Sequence, residues 1–552
     1  MSLPSFDTQG TLFGSVTSVA GDLFEATDRY RLFAQKIWPV LAGTRDQLAR
    51  CYCSDNGRAG IEPVLLLGVL VFQFLERVPD RAAVDLVKYH LGWKLALNVE
   101  LQARGFHATT LVGFRQRLVD HEQAKVAFAA VLDALVEEGL VPKKGKQRLD
   151  STHVLGLVAS MSSLECVRET LRLALEELEE RISHTEQPDW WGQLWERYVE
   201  NKLDYRSNEP VLREKHRQAG TDSLRLLRWL DCSAAQFRAG KQVRLLQKVF
   251  EEYYEVKEGE AVEPLRVHRS ASVKNPHDPE AHWSAKSHGR DRKEWTGYKV
   301  QVAESIALKP DREDQPRGHF ITSIVTQGAT ESDDAGLVAT MEQQRTAGLE
   351  APRELYVDGA YVSAVGLAQA DSEGRELLGP ARSSCKQHKG YLSDAFDVRV
   401  EERRAICPAQ KESTQCSRLE EKQTGKVSYR LEWSTHCHAC SLRDACIGSG
   451  QRHRTLVVGE HHRYLQQRRR EQSSLAFKER MHQRNGIEGT QSELVRGHGL
   501  RKARYRGKRK VELQNHFIGV ACNIKRWLRI AAWQMSHNAP IMKACPAATM
   551  AE

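Results

Sequence analysis

Three acidic residues stand where acids can do metal chemistry. Asp150 closes a short apolar run in "RLDSTHVLG", Asp358 closes another in "ELYVDGAYVS", and Glu488 opens a helical pattern in "RNGIEGTQSELV". Each has an ordinary use. Asp150, followed by Ser and Thr, suits a helix cap or an Asx-turn, and Asp358 with Gly359 suits a hairpin whose residues take positive φ. Asn485 and Glu488 have the spacing of a capping box. Together they suggest more, because two strand-end aspartates and a helix-borne glutamate supply hard oxygen ligands from three elements. Magnesium retains several waters, so a few such ligands suffice. A pair of divalent cations activates an attacking oxygen and stabilises a leaving one in phosphodiester chemistry. Glu493 is the rival for the third position. Five residues on a helix turn through about 500°, so Glu488 and Glu493 point apart.

The elements that must carry these acids can be read from periodicity. Residues 1 to about 145 are helical, with breaks expected at Pro79 and Gly92. The apolar run "VLLLGVLVFQFL" (64–75) is about half a membrane span in length, and it reads as a buried helix. In "FHATTLVGFRQRLVDH", Thr109 or Thr110 can cap a helix with Arg115 and Arg117 on its polar side. A basic linker then leads to a short strand ending at Asp150, followed by charged helical sequence from about 165 to 265. Strand patterns recur at 298–305, 320–328, 354–359 and 376–381, with a helix carrying Asp333 and Asp334 near its start between the second and third. A long apolar-striped helix spans about Val511 to Ala532. The fold class is α/β, a mixed sheet with helical crossovers and a helical insertion.

Composition is that of a globular chain, with 41% hydrophobic and 28% charged residues and a net charge of +9. That charge is clustered: "RKARYRGKRK" (501–510) holds seven basic residues in ten, and "RHR" and "RRR" lie at 452–454 and 468–470. A short basic run is often a solvated face, but this pattern favours a polyanion, with nucleic acid first. The start of the chain, "MSLPSFDTQG", lacks a basic opening and an apolar stretch. Twelve cysteines without a signal sequence point to a reducing compartment, and to metal before disulfides. Cys437 and Cys440 form a C-x2-C pair with Cys446 following. Cys407 and Cys416 could complete a tetrahedral zinc site, with His436 or His438 as substitutes. A reduced, metal-free insert is the other reading.

The sequence resembles the DDE transposases of bacterial insertion sequences, in the group with a helical N-terminal domain and an RNase H-like catalytic core. "RLDSTHVLG" and "ELYVDGAYVS" resemble that group's two Asp motifs. "GIEGTQSELVRGHGLRKARYRGKRKVELQNHFIGVACNIKR" resembles its C-terminal signature, and 275–305 a stretch leading into the second core strand. The resemblance implies that Asp150, Asp358 and Glu488 bind Mg2+ or Mn2+, and that two DNA ends are cut and joined to target DNA by a dimer or larger assembly. It implies an all-α N-terminal domain (1–142), a first core strand region (143–164), a helical insertion (165–265), the RNase H-like core (266–400), a Cys-rich insertion (401–464), the Glu helix with basic arm and closing helix (465–535), and a tail (536–552). Arg501, Arg504, Arg506, Lys508 and Lys510 are the expected phosphate contacts, with Lys299 beside them. A stand-alone nuclease on the same fold, or a DNA-binding protein without catalysis, are the alternatives.

Overall fold

The computed structural model describes residues 2–4, 14–53, 57, 59–202, 208–257, 261–265, 272–288, 291–307, 312–382, 390–423, 425–448 and 450–538. Most of the expected tail, from 539, lies outside them. The N-terminal part is helical as its periodicity implies. Helix α1 (Pro63–Leu75) is apolar on all sides, begins with Pro at its first position, and is buried along nearly its whole length. Pro79 does end this segment, since it caps the next helix, Asp80–Tyr89. Gly92 does not break the chain. It lies inside the short helix Leu91–Ala96, where a Cβ would come within 2.6 Å of the Tyr30 ring.

The helix Thr109–Asp120 departs from its expected polarity. Neither threonine caps it, and Arg115 is buried rather than solvated. Its guanidinium takes Asp80 in a two-pronged pair, at 2.8 and 2.5 Å, beneath the ring of Tyr505. The spacing of Arg115 alone did not reveal this, because its partner is on another helix.

The central sheet contains β1 (Lys146–Leu155), β2 (His282–His288), β3 (Asp291–Ser305), β4 (Ile321–Gly328), β5 (Glu354–Tyr356) and β6 (Glu376–Leu378). Its core order is β4-β3-β1-β5-β6, with β4, β3 and β1 antiparallel and β1, β5 and β6 parallel. This mixed sheet is the arrangement expected of an RNase H-like core. The parallel connections need crossovers, which α2 (Asp333–Thr346) and α3 (Ala364–Ser372) supply. The β2–β3 hairpin, pairing His282 through His288 with Gly297 back to Asp291, was not evident from the sequence.

Two further helices close the molecule: α4 (Gly486–His498) and α5 (Lys508–Asn538). Asn523 of α5 bonds both the N–H and the carbonyl of Ile321, at 2.8 and 2.9 Å, and so occupies backbone groups at the start of edge strand β4. Phe517 of α5 stacks on Phe74 of α1, so the N-terminal helices and one sheet face share a single hydrophobic core. The helical insertion has a core of its own around Leu171, Leu226 and Leu246, and it ends in a small unforeseen hairpin, Tyr254–Val256 with Val262–Pro264. The Cys-rich segment likewise has its own core, built on Phe396, Leu431 and Trp433.

Candidate active site

Register alone brings two of the acids together. β1 runs parallel to β5 with Lys146 opposite Glu354 and Arg148 opposite Tyr356. Continuing that register two residues beyond β5 sets Asp358 level with Asp150, one strand spacing away and on the same face. Asp150 is not at the end of its strand, as its motif suggested. It is the fifth of ten residues, paired across to Val302. The strand continues because Ser151 through Leu155 pair with β3, a partner that the local sequence could not disclose.

The Asp358–Gly359 turn is not a hairpin, and neither residue has positive φ. Asp358 Oδ1 accepts the Ala360 N–H at 2.7 Å, in an Asx-type turn that leads into α3. Gly359 is required for space, since a Cβ there would lie 2.8 Å from the Pro380 carbonyl oxygen.

Glu488 lies in the first turn of α4, and the capping box with Asn485 does not form. Asn485 is itself helical and makes no side-chain cap, because a 3-10 turn, His482–Asn485, runs straight into α4. Glu488 points to solvent with 68% of its side chain exposed. Arg484 links it to the sheet: one guanidinium nitrogen lies 3.0 Å from Asp150 Oδ2 and another 3.7 Å from Glu488 Oε1. A cation thus stands between two of the three acids. Burial pushes the Asp150 carboxyl above its ordinary range, Arg484 and the Ser151 N–H pull it back, and the nearby charge of Asp358 pushes it up again. The oxygens of Asp150, Asp358 and Glu488 do not all lie within 4.8 Å of one another.

What holds α4 against β1 is a buried ionic cluster that sequence reasoning missed. Glu304, directly across from Arg148 in the β1–β3 register, has no solvent exposure. It takes Arg148 at 2.5 Å, Arg526 of α5 at 3.1 Å and the Thr490 hydroxyl of α4 at 2.5 Å. Arg526 also grips Glu493 at 2.8 Å, with Lys525 at 3.2 Å. Burial raises the Glu493 carboxyl, but Arg526 and Lys525 outweigh it and hold the group below its usual range. Glu493 is therefore committed to α5. Gly486 completes the seam, since a Cβ there would fall 1.7 Å from a nitrogen of Arg148.

Among the described residues one trio of potential ligands does lie within 4.8 Å, Glu493, His498 and Cys522. It is poorly suited to a cation. Glu493 already carries two, and burial pushes the Cys522 thiol up to about 12. Asp150, Asp358 and Glu488 offer only hard carboxylate oxygens, the donor type that magnesium prefers, with Arg484 beside two of them.

The basic stretch splits into two populations. Arg501 donates to the His153 carbonyl at 2.8 Å, and the chain there extends the end of β1 through Leu155 and Ala503. Arg504 lies over the Phe74 ring at 4.7 Å, and Lys508 reaches Glu331 at 3.5 Å. Arg506 and Lys510 are exposed. Lys299 is largely covered, at 14% exposure, and pairs with Asp333 at 3.1 Å. The β2–β3 hairpin adds cations that composition did not single out. Lys286 and Lys293 are exposed and directly opposite each other. Like charges facing across strands are unfavourable without an anion between them. Both act on His153, which burial first, then Arg501 and these lysines, hold down to about 4.

Of the five cysteines, Cys407, Cys437, Cys440 and Cys446 line one cavity with His436 at its rim. Cys416 lies on the strand Gln415–Glu420 and does not join them, and His438 is exposed outside it.

Two family models match the chain. Residues 406–528 match the model described as transposase DDE domain, and residues 19–117 match transposase domain (DUF772). Both are transposase models, and together they indicate a DDE transposase of an insertion sequence. The first match encloses Glu488, the basic stretch and Arg526 of the transposase, and leaves Asp150 and Asp358 outside it. Comparison with curated proteins and with solved structures found no match for either. No helix among the described residues is long and apolar enough to cross a membrane.

Proposed function

We propose that this transposase cuts double-stranded DNA at the ends of its insertion sequence and joins the 3′ ends to target DNA, with Asp150, Asp358 and Glu488 as its catalytic acids. The observation that carries the reading is the shared guanidinium: Arg484 bridges Asp150 and Glu488, from strand and helix, while Asp358 is level with Asp150 on the neighbouring strand. That contact and that register support a common site for three acids that 130 or more residues separate along the chain.

These acids would hold Mg2+ or Mn2+, which when bound makes an oxygen nucleophile available near neutral pH and neutralises charge on the leaving oxygen. The chain's own part is positioning. The Glu304 cluster fixes α4 on β1, so that Glu488 is presented beside Asp150 rather than along the helix at large. Lys286, Lys293, Arg506 and Lys510 offer exposed cations for the phosphate backbone, which steers and orients a duplex without reading its sequence. Two ends must be cut together, which favours an assembly of at least two chains on DNA.

Incubation with a duplex bearing the element's end tests this, using the wild type and the variants Asp150→Asn, Asp358→Asn and Glu488→Gln. The wild type should nick the end and transfer it to a plasmid only with Mg2+ or Mn2+ present. Each variant should bind the end and cut it at a rate orders of magnitude below the wild type. Cleavage without transfer would point to a stand-alone nuclease. Near-normal cutting by a variant would remove that residue from the site.

A further inference from the structure

Outside the acidic site, one cluster of metal-ligating side chains has no use in the transposition chemistry. Cys407 follows the strand Arg404–Ile406 in a turn closed by the Gln410 N–H on its carbonyl at 2.8 Å. Cys437 and Cys440 lie in the loop after the strand Val427–Glu432, and Cys446 ends the short helix Arg443–Cys446. These three segments meet around a cavity of about 20 Å³, lined by all four sulfur-bearing residues. That is space for one water-sized guest. None of the four is in a disulfide.

The surroundings suit negative sulfur. The Arg454 N–H donates to Cys437 Sγ at 3.3 Å. The Arg454 and Arg443 guanidinium groups hold the carbonyls of Cys446 and Cys437 at 3.2 and 3.0 Å, so two fixed cations flank the cluster. The host segment also needs a staple, because its core is a few apolar side chains beneath a small sheet whose first strand is largely exposed.

We propose that Cys407, Cys437, Cys440 and Cys446 form a structural Zn2+ site that clamps the insertion, and that Cys416 is not part of it. Four cysteine sulfurs close the coordination sphere, so the site is structural rather than catalytic. No three of these sulfurs lie within 4.8 Å of one another among the described residues, so binding would draw the Cys407 turn and the Cys437–Cys440 loop inward around the ion. The inference is independent of the transposition reading, since it concerns neither the acids nor DNA.

Elemental analysis of the full-length protein, purified without chelator, tests it, with Co2+ exchanged into the wild type as a second measurement. One zinc per chain is expected in the wild type and in Cys416→Ser, and loss of zinc in Cys437→Ser and Cys446→Ser. If the last two fail to fold, the Co2+ protein decides: the expected spectrum is that of a tetrahedral four-thiolate site, with intense thiolate-to-metal bands. A wild type without stoichiometric zinc, a Cys416→Ser variant as depleted as Cys446→Ser, or a Co2+ spectrum without thiolate bands would overturn the proposal.

Discussion

On the seam between α4 and β1 there are two glutamates with opposite surroundings. Glu304 is fully buried between Arg148 and Arg526 and also accepts the Thr490 hydroxyl, whereas Glu488 is 68% exposed and pairs with Arg484 at 3.7 Å. A buried carboxylate costs several kcal/mol of desolvation, which is recovered only when every lone pair is met. Glu304 meets that condition and so locks a geometry. Glu488 incurs little desolvation and keeps its oxygens available. On the proposed function the molecule separates two tasks that use the same functional group: the inner acid fixes where the helix sits, and the outer acid would act on what arrives.

That contrast can be broken by exchange. Glu304→Ala leaves two guanidinium groups buried without their shared partner and should cost about 3–5 kcal/mol, read as a lower midpoint in urea unfolding. Glu488→Gln should reverse the pattern. Its unfolding midpoint should stay within about 0.5 kcal/mol of wild type, as for other exposed positions. Its cleavage rate should fall on the order of 10²–10³-fold, the scale of losing one transition-state electrostatic contact. If Glu304→Ala were neutral for stability, or Glu488→Gln destabilising, the division of labour would be wrong.

Smaller effects sharpen the picture. Gly486→Ala forces a Cβ onto Arg148 and should cost about 1–3 kcal/mol, the usual range for overpacking, with cleavage reduced because α4 shifts. The smallest change is expected from the exposed cations. The double variant Arg506→Ala, Lys510→Ala should lower the salt slope of duplex binding by about 1.8, or about 0.9 per phosphate contact. Arg501→Ala, whose side chain already holds the His153 carbonyl, should change stability more than the slope.

Much of the fold was legible in the chain. The apolar run of α1, the alternation in β3 and β4, and the stripe of α5 lie where periodicity puts them, because each buries the face that its spacing marks. What was not legible depended on partners remote in sequence. Asp150 looked like a strand terminus because the residues after it are polar, yet β3 pairs with them. Arg115 looked solvated because Asp80 is on another helix. Glu304, Thr490 and Arg526 carried no local signal, since each is an unremarkable residue until three elements bring them together. The basic stretch gave the charge and not its direction, so the inward Arg504 and the outward Arg506 read alike. The five cysteines likewise could not be divided by spacing, while packing places Cys416 apart from the other four.

The central claim is that Asp150, Asp358 and Glu488 act on one divalent-metal site. A structure of the protein assembled on its own end DNA with Mn2+, located by anomalous scattering, tests it most directly. The account predicts Mn2+ held between Asp150 and Asp358, with Glu488 brought in as a ligand and Arg484 moved off the acids. Manganese bound elsewhere, or Glu488 still directed to solvent in that assembly, would contradict it.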